Sequence, residues 1–320
     1  MIRLAVDVQS GDYGPDVTVR GILDARKAAS VPFVTYLCGN RDEINHILDD
    51  LEKTVSFDRS EFIVEHSSDL ISEEDWRSMV WKNRKGSSIV RCVSLQKEGK
   101  ADASISAGDT GILIGTALFI LGRGEGISRP ALGAFIPTAT HGNPVLVLDV
   151  GANLNCRAEH LASFAQMGSS YVSRLFSKPV RTALLNIGAE PSKGPKVVRD
   201  AAELLEKKDW YTGFIEGNKV FSGDADVVVC DGFLGNVLLK ACESFYSLAA
   251  DFLAGNQSVL ELLIHKMDVL NPENYGAVPF LGIRGTVLKA HGGSSVRSIR
   301  NAVLTALGAV KNNVTECWKN

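Results

Sequence analysis

The residues best suited to chemistry in this 320-residue chain are small or short and polar, and they gather in six turn segments. Each segment combines glycine, which lets a ligand approach the backbone, with a short polar side chain that can bind an anion or cap a helix. The segments are Ser10–Asp12, Ser106–Gly111, Gly151–Asn153, Asn186–Gly188, Asp231–Asn236 and His291–Ser295. Any one alone is more simply a turn, but six together favour a polar cleft for an anion.

The elements that would position these segments follow an alternating pattern. Short apolar runs alternate with longer stretches of helical period, which predicts βα units and a largely parallel sheet. Predicted strands are Arg3–Asp7, Phe33–Cys38, Glu61–Glu65, Asp102–Ser106, Val145–Val150, Arg181–Ile187 and Asp226–Cys230. Predicted helices are Asp16–Ala29, Asp42–Leu51, Glu73–Glu98, Thr110–Leu121, Ala158–Leu175, Lys196–Lys207, Leu234–Leu253 and Ser295–Lys311. Because parallel strands end at one sheet edge, we expect all six segments there.

Composition and motifs exclude several classes of protein. A hydrophobic fraction of 45% indicates a folded globular chain. A net charge of -3 argues against a protein that binds duplex nucleic acid. The sequence has no GxGxxG opening a helix after a strand, no GxxxxGK[ST], no GxSxG and no HExxH, which disfavours dinucleotide, P-loop, serine-hydrolase and zincin chemistry. Six scattered cysteines without a CxxC pair predict free thiols, no zinc site and a reducing cytosol.

The chain carries no predicted membrane span and no obvious internal boundary. Its longest uncharged stretch, Pro130–Leu148, contains three prolines and cannot be a spanning helix. The N-terminus reaches an acid at Asp7 and predicts a first strand instead of a secretory signal. Without a linker or a repeat, we expect residues 1–320 to form one α/β catalytic domain of two interleaved lobes.

Long motifs in this chain resemble those of the PlsX-type phosphate acyltransferases, nearly from end to end. The segments that carry the resemblance are Ile105–Gly111, Asp149–Gly168, Asn186–Gly194, Asp226–Lys240 and Leu281–Ser295. The resemblance implies conversion of acyl-[acyl carrier protein] and inorganic phosphate into acyl phosphate and free carrier protein, for bacterial phospholipid synthesis. It also implies a homodimer with a three-layer α/β/α sandwich, like the isocitrate and isopropylmalate dehydrogenases. We expect no cofactor.

This reaction needs charge stabilisation more than a strong base, because phosphate is already an anion at neutral pH. Lys193 matches the family's N-I-G-x-E-x-x-K-G lysine, and near a helix start a bound anion would account for its charge. His291 either donates a proton to phosphate or thiolate, or only orders its loop. Asn236 either orients phosphate or pantetheine amides, or caps a helix. A covalent route through Cys156 or Cys230 is disfavoured, since no histidine is adjacent in sequence.

Further substrate-binding residues are predicted from the same segments. They are Gly11, Asp12, Ser106, Thr110, Asn153, Asn186, Gly188, Asp231, Gly232, Lys240 and Ser294. Each has a simpler alternative as a turn residue, a helix cap or, for Lys240, a surface ion pair.

Four positions depart from the family's pattern. Gln9 and Ser10 replace a methionine and a glycine in the first loop, Asp109 replaces an asparagine, and Asn155 replaces an aspartate. A carboxylate at Asp109 would repel bound phosphate unless it turns away or a cation intervenes.

Two surfaces are candidates for partners. Acyl carrier proteins are acidic, and the densest basic cluster, close to Trp81, consists of Lys82, Arg84, Lys85 and Arg91. A solvated helix face is the commoner meaning of such a cluster. The apolar segment Leu234–Leu270 predicts core or dimer interface, and the resemblance adds contact with a membrane surface at its tips. We therefore expect a cytoplasmic protein, and the implied membrane contact would place it peripherally at the inner membrane face.

Three rival functions remain open at this stage. Within enzymes, an acyl-coenzyme A phosphotransacylase or a dehydrogenase on a similar fold would share the architecture. From another class, a non-catalytic scaffold could bind carrier protein and organise lipid enzymes. Acyl phosphate release from each thioester distinguishes these possibilities.

Overall fold

The chain divides into two compact units, which are described separately. This computed structural model describes residues 1–69, 71, 75, 79–140, 143–253 and 272–318. The first unit comprises Met1–Glu125 and Tyr275–Asn320, and the second comprises Gly126–Asn274.

The first unit contains a six-stranded sheet in the order β3-β2-β1-β4-β11-β10. Every pair is parallel except β10–β11. Its strands are β1 Ile2–Asp7, β2 Phe33–Gly39, β3 Phe62–His66, β4 Ala103–Ser106, β10 Ala277–Leu281 and β11 Thr286–Ala290. Its helices are α1 Gly14–Ala28, α2 Arg41–Glu52, α3 Val80–Asn83, α4 Ser88–Lys97, α5 Thr110–Ile120 and α9 Val296–Lys311, with 3-10 helices at Arg59–Glu61 and Val314–Trp318.

Both faces of this sheet are covered, which produces three layers. Alternate residues of β1 point to opposite faces, so Leu4 joins the core beneath α1, α2 and α9, and Ala5 joins a core beneath α4. The helices α1 and α9 pack so closely that a Cβ at Gly21 would lie 2.5 Å from the Cβ of Ile299. The predicted α/β class with a mostly parallel sheet is confirmed.

The second unit contains five strands in the order β5-β6-β9-β7-β8, parallel except for the β5–β6 pair. They are β5 Ala131–Ile136, β6 Val145–Leu148, β7 Thr182–Asn186, β8 Tyr211–Glu216 and β9 Val227–Val229. The helices are α6 Ala158–Phe176, α7 Lys196–Leu205 and α8 Gly232–Leu253, with 3-10 helices at Gly217–Lys219 and Pro272–Asn274. Helix α6 lies on the sheet at Gly168, where a Cβ would be 2.7 Å from atoms of Leu148 and Val227.

One predicted helix is wrong, and four strands were not predicted. The single helix predicted over Glu73–Glu98 is broken in its described part, where α3 and α4 are separate helices. A turn divides them because the Gly86 N–H donates to the Asp69 carboxylate at 2.9 Å instead of continuing a helix. The unpredicted strands are β5, β8, β10 and β11, and β5 forms an antiparallel pair with β6 inside the uncharged stretch Pro130–Leu148.

No helix among the described residues is long and apolar enough to cross a membrane. The part of the apolar segment Leu234–Leu270 beyond Leu253, where membrane contact was predicted, lies outside the described residues.

Candidate functional site

In the first unit, three loops meet at the edge where parallel strands end. We call the loops after β1, β4 and β11 the first-unit loops; they span residues 7–12, 106–111 and 290–295. Asp7 of β1 is in register with Ser106 of β4, which in turn is in register with Lys289 of β11. The strand order therefore places the three predicted turn segments of this unit side by side.

A buried carboxylate joins the first two of these loops. Asp7 is 2% exposed, and its Oδ2 accepts the Ser106 hydroxyl at 2.6 Å. Its Oδ1 accepts the backbone N–H groups of Gln9 at 3.2 Å and Ser10 at 3.1 Å. The Ser106 hydroxyl oxygen also accepts the Gly108 N–H at 3.0 Å. The Ser106 hydroxyl proton is thus used in the hydrogen bond to Asp7. Ser106 therefore stabilises the loops and has no proton left to donate to a substrate.

Backbone contact joins the β1 loop to the β11 loop. Gly11 has φ +121°, a conformation that favours glycine. The next residue, Asp12, donates its N–H to the Gly292 oxygen at 2.9 Å, and its carboxylate lies against Gly292 and Gly293. The small residues of the β11 loop are therefore needed to let the exposed Asp12 side chain lie against it.

Two hydrogen-bond donors of the β11 loop are suited to an anion. His291 Nδ1 accepts the Gly293 N–H at 3.1 Å, so in the neutral ring the proton is on Nε2, and the side chain is exposed. Ser294 is 5% exposed, and within the described part of the chain its buried hydroxyl has no hydrogen-bond partner. Buried hydroxyls normally have one, so a ligand or a water is the expected acceptor.

The family departure at Asp109 has a structural role. Its Oδ1 accepts the Ile112 N–H at 2.9 Å, which makes Asp109 the N-cap of α5, with Thr110 as the first helical residue. The carboxylate is thereby engaged by the helix, and an asparagine could make the same contact.

In the second unit, a buried carboxylate organises the loop after β6. Asp149 is fully buried, and its Oδ1 accepts the N–H groups of Leu132 at 3.0 Å, Gly151 at 3.2 Å and Ala152 at 3.0 Å. Its Oδ2 accepts the Asn153 N–H at 2.6 Å and the Asn153 Nδ2 at 2.8 Å. Burial raises the pKa of Asp149, and the hydrogen bonds oppose that rise. These N–H groups point at Asp149 and are not free to bind a substrate.

Asn153 joins this loop to the loop after β9. Its Nδ2 also donates to the Pro130 oxygen at 2.8 Å, so both amide protons are engaged. Its own backbone oxygen accepts the Gly232 N–H at 2.8 Å, and a Cβ at Gly232 would lie 2.8 Å from that oxygen. Asn153, predicted as a neutral donor to substrate, is therefore a buried residue that positions two loops.

The next group of predicted residues lies at the N-terminal end of α8, from the residue before the helix to its ninth residue. Asp231 Oδ1 accepts the Leu234 N–H at 2.9 Å and so caps this helix end, which is the simpler of its two predicted roles. Asn236 is exposed, and its side chain is the nearest group to a Cβ built on Gly151, at 3.8 Å from Oδ1. Lys240 pairs with Glu243 at 2.7 Å, as its surface alternative predicted.

Lys193 lies in the loop after β7, three residues before the first residue of α7. Asn186 supports that loop by donating its Nδ2 to the Lys193 oxygen at 3.1 Å, and Gly194, at φ +86°, leaves the space that the Asn186 oxygen fills. Lys193 Nζ pairs with Glu190 at 2.8 Å, and this hydrogen bond raises the pKa of the half-exposed lysine. Its stem packs over buried Gly188. Lys193 is thus a fixed cation and not a base.

The cysteines are poor nucleophiles. Burial, with Asp149 and Asp231 nearby, raises the pKa of Cys156 to about 11, and burial raises the pKa of Cys230 further. Among the described residues, no group of His, Cys, Asp and Glu side chains is arranged to hold a metal ion.

The other departures lie at loop junctions. Gln9 Oε1 accepts the Asn40 N–H at 2.9 Å, and its Nε2 donates to Glu43 at 3.1 Å. Ser10 lies against Gly108, where a Cβ would be 3.0 Å from the Ser10 Oγ. Asn155 is exposed and contributes its backbone oxygen to Arg129 at 3.1 Å.

The predicted basic cluster is only partly available for docking. Arg84 pairs with Asp75 at 3.3 Å, and Arg91 is half-buried between Glu65 and Glu98. Lys82 and Lys85 are exposed.

Comparison with known proteins finds similarity over nearly the whole chain. The model of a family described as "Fatty acid synthesis protein" matches residues 2–317. A "Phosphate acyltransferase" of Dictyoglomus turgidum is 36% identical over 98% of this chain and 96% of its own length. One of Vibrio parahaemolyticus is 37% identical over 98% and 94%. The chain belongs to the PlsX-type phosphate acyltransferase family. It is accordingly an enzyme, a transferase of the fatty-acid and phospholipid synthesis class.

Solved structures share the fold of this phosphate acyltransferase family member at low identity. A phosphotransacetylase of Streptococcus pyogenes superposes with a TM-score of 0.66 at 16% identity, covering 98% of this chain and 94% of that one. A 4-hydroxythreonine-4-phosphate dehydrogenase of Klebsiella pneumoniae gives 0.59 at 14% identity, covering 97% and 98%. The second of these is a dehydrogenase, of a different kind from the isocitrate and isopropylmalate dehydrogenases named in the expectation.

The sequence did not reveal the two carboxylates that organise the loops. Asp7 and Asp149 both follow an apolar strand directly and both precede a valine and then a glycine-containing turn. An acid at the end of a buried strand, repeated in two places, was the available signal.

Proposed function

We propose that this enzyme transfers the acyl group of acyl-[acyl carrier protein] to inorganic phosphate, releasing acyl phosphate and free carrier protein for bacterial phospholipid synthesis. The observation that carries this proposal is the match to relatives named "Phosphate acyltransferase" over 98% of the chain. The proposed chemistry also fits loops built from hydrogen-bond donors and a fixed cation, with no activated nucleophile of the protein's own.

In the proposed reaction, a phosphate oxygen attacks the thioester carbonyl carbon. A C–O bond forms, the C–S bond breaks, and the electron pair leaves with the carrier protein's sulfur, which takes a proton from water or a nearby donor. Phosphate is already anionic at neutral pH, so binding and orientation count for more than deprotonation. The developing oxyanion is the charge that the protein must stabilise.

Lys193 is proposed to stabilise negative charge in this reaction. Its pKa is raised by Glu190, so it stays protonated throughout the neutral range. Its place in the chain is fixed by the Asn186 hydrogen bond and by Gly194. In this proposal, Lys193 binds both Glu190 and the incoming anion. Loss of Lys193 should therefore lower kcat or raise the KM for phosphate.

Ser294 and His291 are proposed as neutral donors to the anion. The Ser294 hydroxyl is buried without a partner among the described residues, and His291 carries its exposed N–H on Nε2. A protonated His291 could also supply the proton that the thiolate needs. Asn236 remains a proposed third residue, at the start of α8.

Trapping the product tests the reaction. Purified protein is mixed with acyl-[acyl carrier protein], phosphate and hydroxylamine, and acyl hydroxamate is measured, with acyl-coenzyme A as the alternative thioester. Hydroxamate that requires phosphate and carrier-protein thioester supports the proposal, whereas preference for acyl-coenzyme A favours a phosphotransacylase. Binding of carrier protein without phosphate-dependent thioester loss favours a scaffold.

A matched pair of lysines tests the proposed cation. Lys193→Ala should lower kcat/KM for phosphate by about 100-fold, a size typical for loss of one transition-state charge contact. Lys196→Ala removes a nearby and more exposed lysine, paired with Asp200 at 2.6 Å, and should leave activity unchanged. Equal activity of the two variants would contradict the role of Lys193.

We also propose that a second copy of the chain covers one face of α8. Phe233, Val237, Phe245, Leu248 and Phe252 lie on this face at helical spacing and are 48–79% exposed. Such an apolar stripe is expected at a homodimer interface. Analytical ultracentrifugation should show a dimer that Phe245→Glu dissociates; an unchanged sedimentation coefficient would reject this face.

A further inference from the structure

Two stacked aromatic side chains, the half-buried Trp81 and the exposed Phe119, lie on the surface of the first unit. The ring of Trp81 in α3 lies over Gly115 of α5, where a Cβ would come within 2.3 Å of the indole. Trp81 also stacks on Phe119, with ring centroids 6.1 Å apart and planes inclined by 29°. The missing side chain at Gly115 therefore sets the position of the tryptophan.

The surface around this pair is apolar to an extent unusual for an exposed helix. Phe119 is 55% exposed and Met79 is 52% exposed. Helix α5 contains no charged residue along its whole length, although Phe119 faces solvent. Exposed apolar side chains of this kind, with charged side chains beside them, commonly mark a protein-binding site.

The charge beside the aromatic pair is positive. Residues 76–97 contain six Lys or Arg and no Asp or Glu. Arg84 and Arg91 are engaged with acids from other segments. Lys82 and Lys85 are exposed, and Lys82 Nζ lies 5.8 Å from the centre of the Phe119 ring. Lys82 thus places exposed positive charge next to the exposed Phe119 ring, and the exposed Lys85 follows three residues later in the chain.

This surface is connected to the first-unit loops by α5 itself. The helix begins at Thr110, directly after the loop that follows β4, and Phe119 is nine residues further on. At 1.5 Å per residue, the two lie roughly 14 Å apart along the helix axis. A protein seated on the rings could therefore deliver a flexible thioester arm toward those loops.

We propose that Met79, Trp81 and Phe119, flanked by Lys82 and Lys85, form the surface that docks the acidic acyl carrier protein. This rests on the proposed function, because it assigns that reaction's protein substrate to a place on this chain. The rings provide the buried anchor, and the lysines provide charge complementarity that accelerates encounter and orients the partner. Arg84 and Arg91, committed to Asp75 and to Glu65 and Glu98, contribute little.

Two variants and a matched control test the surface. Phe119→Ala removes the exposed ring, and Lys82→Glu with Lys85→Glu reverses the exposed charge. Lys207→Glu with Lys208→Glu is the control, since this exposed lysine pair makes the same change in net charge just beyond α7, before the start of β8. Each protein is assayed with acyl-[acyl carrier protein], with a small acyl-pantetheine thioester, and for binding of unacylated carrier protein by calorimetry.

The docking surface predicts a split between the two substrates. Both test variants should raise the KM for acyl-[acyl carrier protein] at least ~10-fold, a typical loss for one interface anchor, with the KM for acyl-pantetheine unchanged. The charge-reversed variant should also lose the salt dependence of that KM. The control should match the wild type in every assay.

Three results would overturn the docking surface. These are an unchanged carrier-protein KM in both variants, an equal rise for both thioesters, and a loss of binding to anionic lipid vesicles with carrier-protein affinity intact. Failure of the reaction itself gives a different result. If the wild type makes no acyl phosphate but its calorimetric affinity for carrier protein still falls in the variants, the docking surface stands and the proposed function does not.

Discussion

Each unit places a buried carboxylate at the end of a strand, but the two carboxylates are held differently. Asp7 accepts three hydrogen bonds, one from the rotatable Ser106 hydroxyl. Asp149 accepts five, all from N–H groups of the backbone or of the Asn153 amide. The hydroxyl of Ser106 can become an acceptor when its partner changes, whereas an N–H group cannot. The loop at Asp149 is therefore the less tolerant of the two.

The difference separates support from substrate contact. At Asp149, every N–H from Gly151 to Asn153 donates to the carboxylate. Under the proposed function, substrate contact in the second unit would therefore be made by side chains such as Lys193. In the first unit, the β11 loop retains the Ser294 hydroxyl as an uncommitted donor within the described residues. A carboxylate at the end of a strand thus uses all the neighbouring N–H groups in the second unit, whereas the first unit keeps a hydroxyl donor that could bind a ligand.

Asp149→Asn should produce the largest effect. Either orientation of the new amide places its NH2 group against at least two N–H donors, which should lower the free energy of unfolding by about 3 kcal/mol or more. Urea unfolding followed by circular dichroism measures it. A loss below about 1 kcal/mol would show that the loop does not depend on this acceptor.

Asp7→Asn is the matched test in the first unit and should cost less. The new NH2 group can replace Oδ2 and donate to the Ser106 oxygen, while the amide oxygen keeps accepting from Gln9 and Ser10. We expect a loss of about 1 kcal/mol in the same urea experiment. A loss equal to that of Asp149→Asn would contradict the contrast between hydroxyl and N–H donors.

Two substitutions at Asp109 separate its role as the N-cap of α5 from the effect of its negative charge near the first-unit loops. Asp109→Asn keeps the N-cap and should leave the unfolding free energy unchanged, while removal of a negative charge near the loops should lower the KM for phosphate. Asp109→Ala loses the cap and should cost about 1 kcal/mol. Equal stability of the alanine and asparagine variants would exclude the capping role.

The cysteines of the second unit should show the smallest effect. With its pKa raised to about 11, Cys156 is a thiolate in on the order of one molecule per thousand at pH 8. Its alkylation rate, followed by peptide mass spectrometry, should rise about tenfold per pH unit up to that value. Cys156→Ser and Cys230→Ser should keep turnover largely intact; an isolable acyl-enzyme with loss of activity in either variant would overturn a direct attack by phosphate.

The sequence predicted seven of the described strands and the long helices other than the one over Glu73–Glu98, because their apolar periods are regular. It missed β11 because Lys289 interrupts the short apolar run, although this strand leads into the His291 loop. Residues such as Ser106 and Asn153 were predicted to meet the substrate, whereas the structure shows their side chains hydrogen-bonded to buried carboxylates. Their partners, Asp7 and Asp149, are distant in sequence or buried, and no local pattern states which donors a carboxylate will collect.

The predicted helix over Glu73–Glu98 also failed because of a contact with a residue outside the segment. Its helical period is real on both sides of Gly86, but the contact that ends α3 comes from Asp69, outside the period. Likewise, Lys193 was predicted at a helix start, whereas the Asn186 contact holds it in a loop ahead of α7. Tertiary contacts, which no single segment encodes, decide such positions.

Phosphorus NMR of a reaction mixture tests the central claim most directly. Wild-type protein, acyl-[acyl carrier protein] and phosphate should yield an acyl phosphate resonance in a one-to-one ratio with the free carrier-protein thiol. Lys193→Ala should form both products about 100-fold more slowly, while Lys196→Ala forms both at the wild-type rate. Thiol released without any acyl phosphate resonance, or at a rate independent of phosphate, would contradict the account.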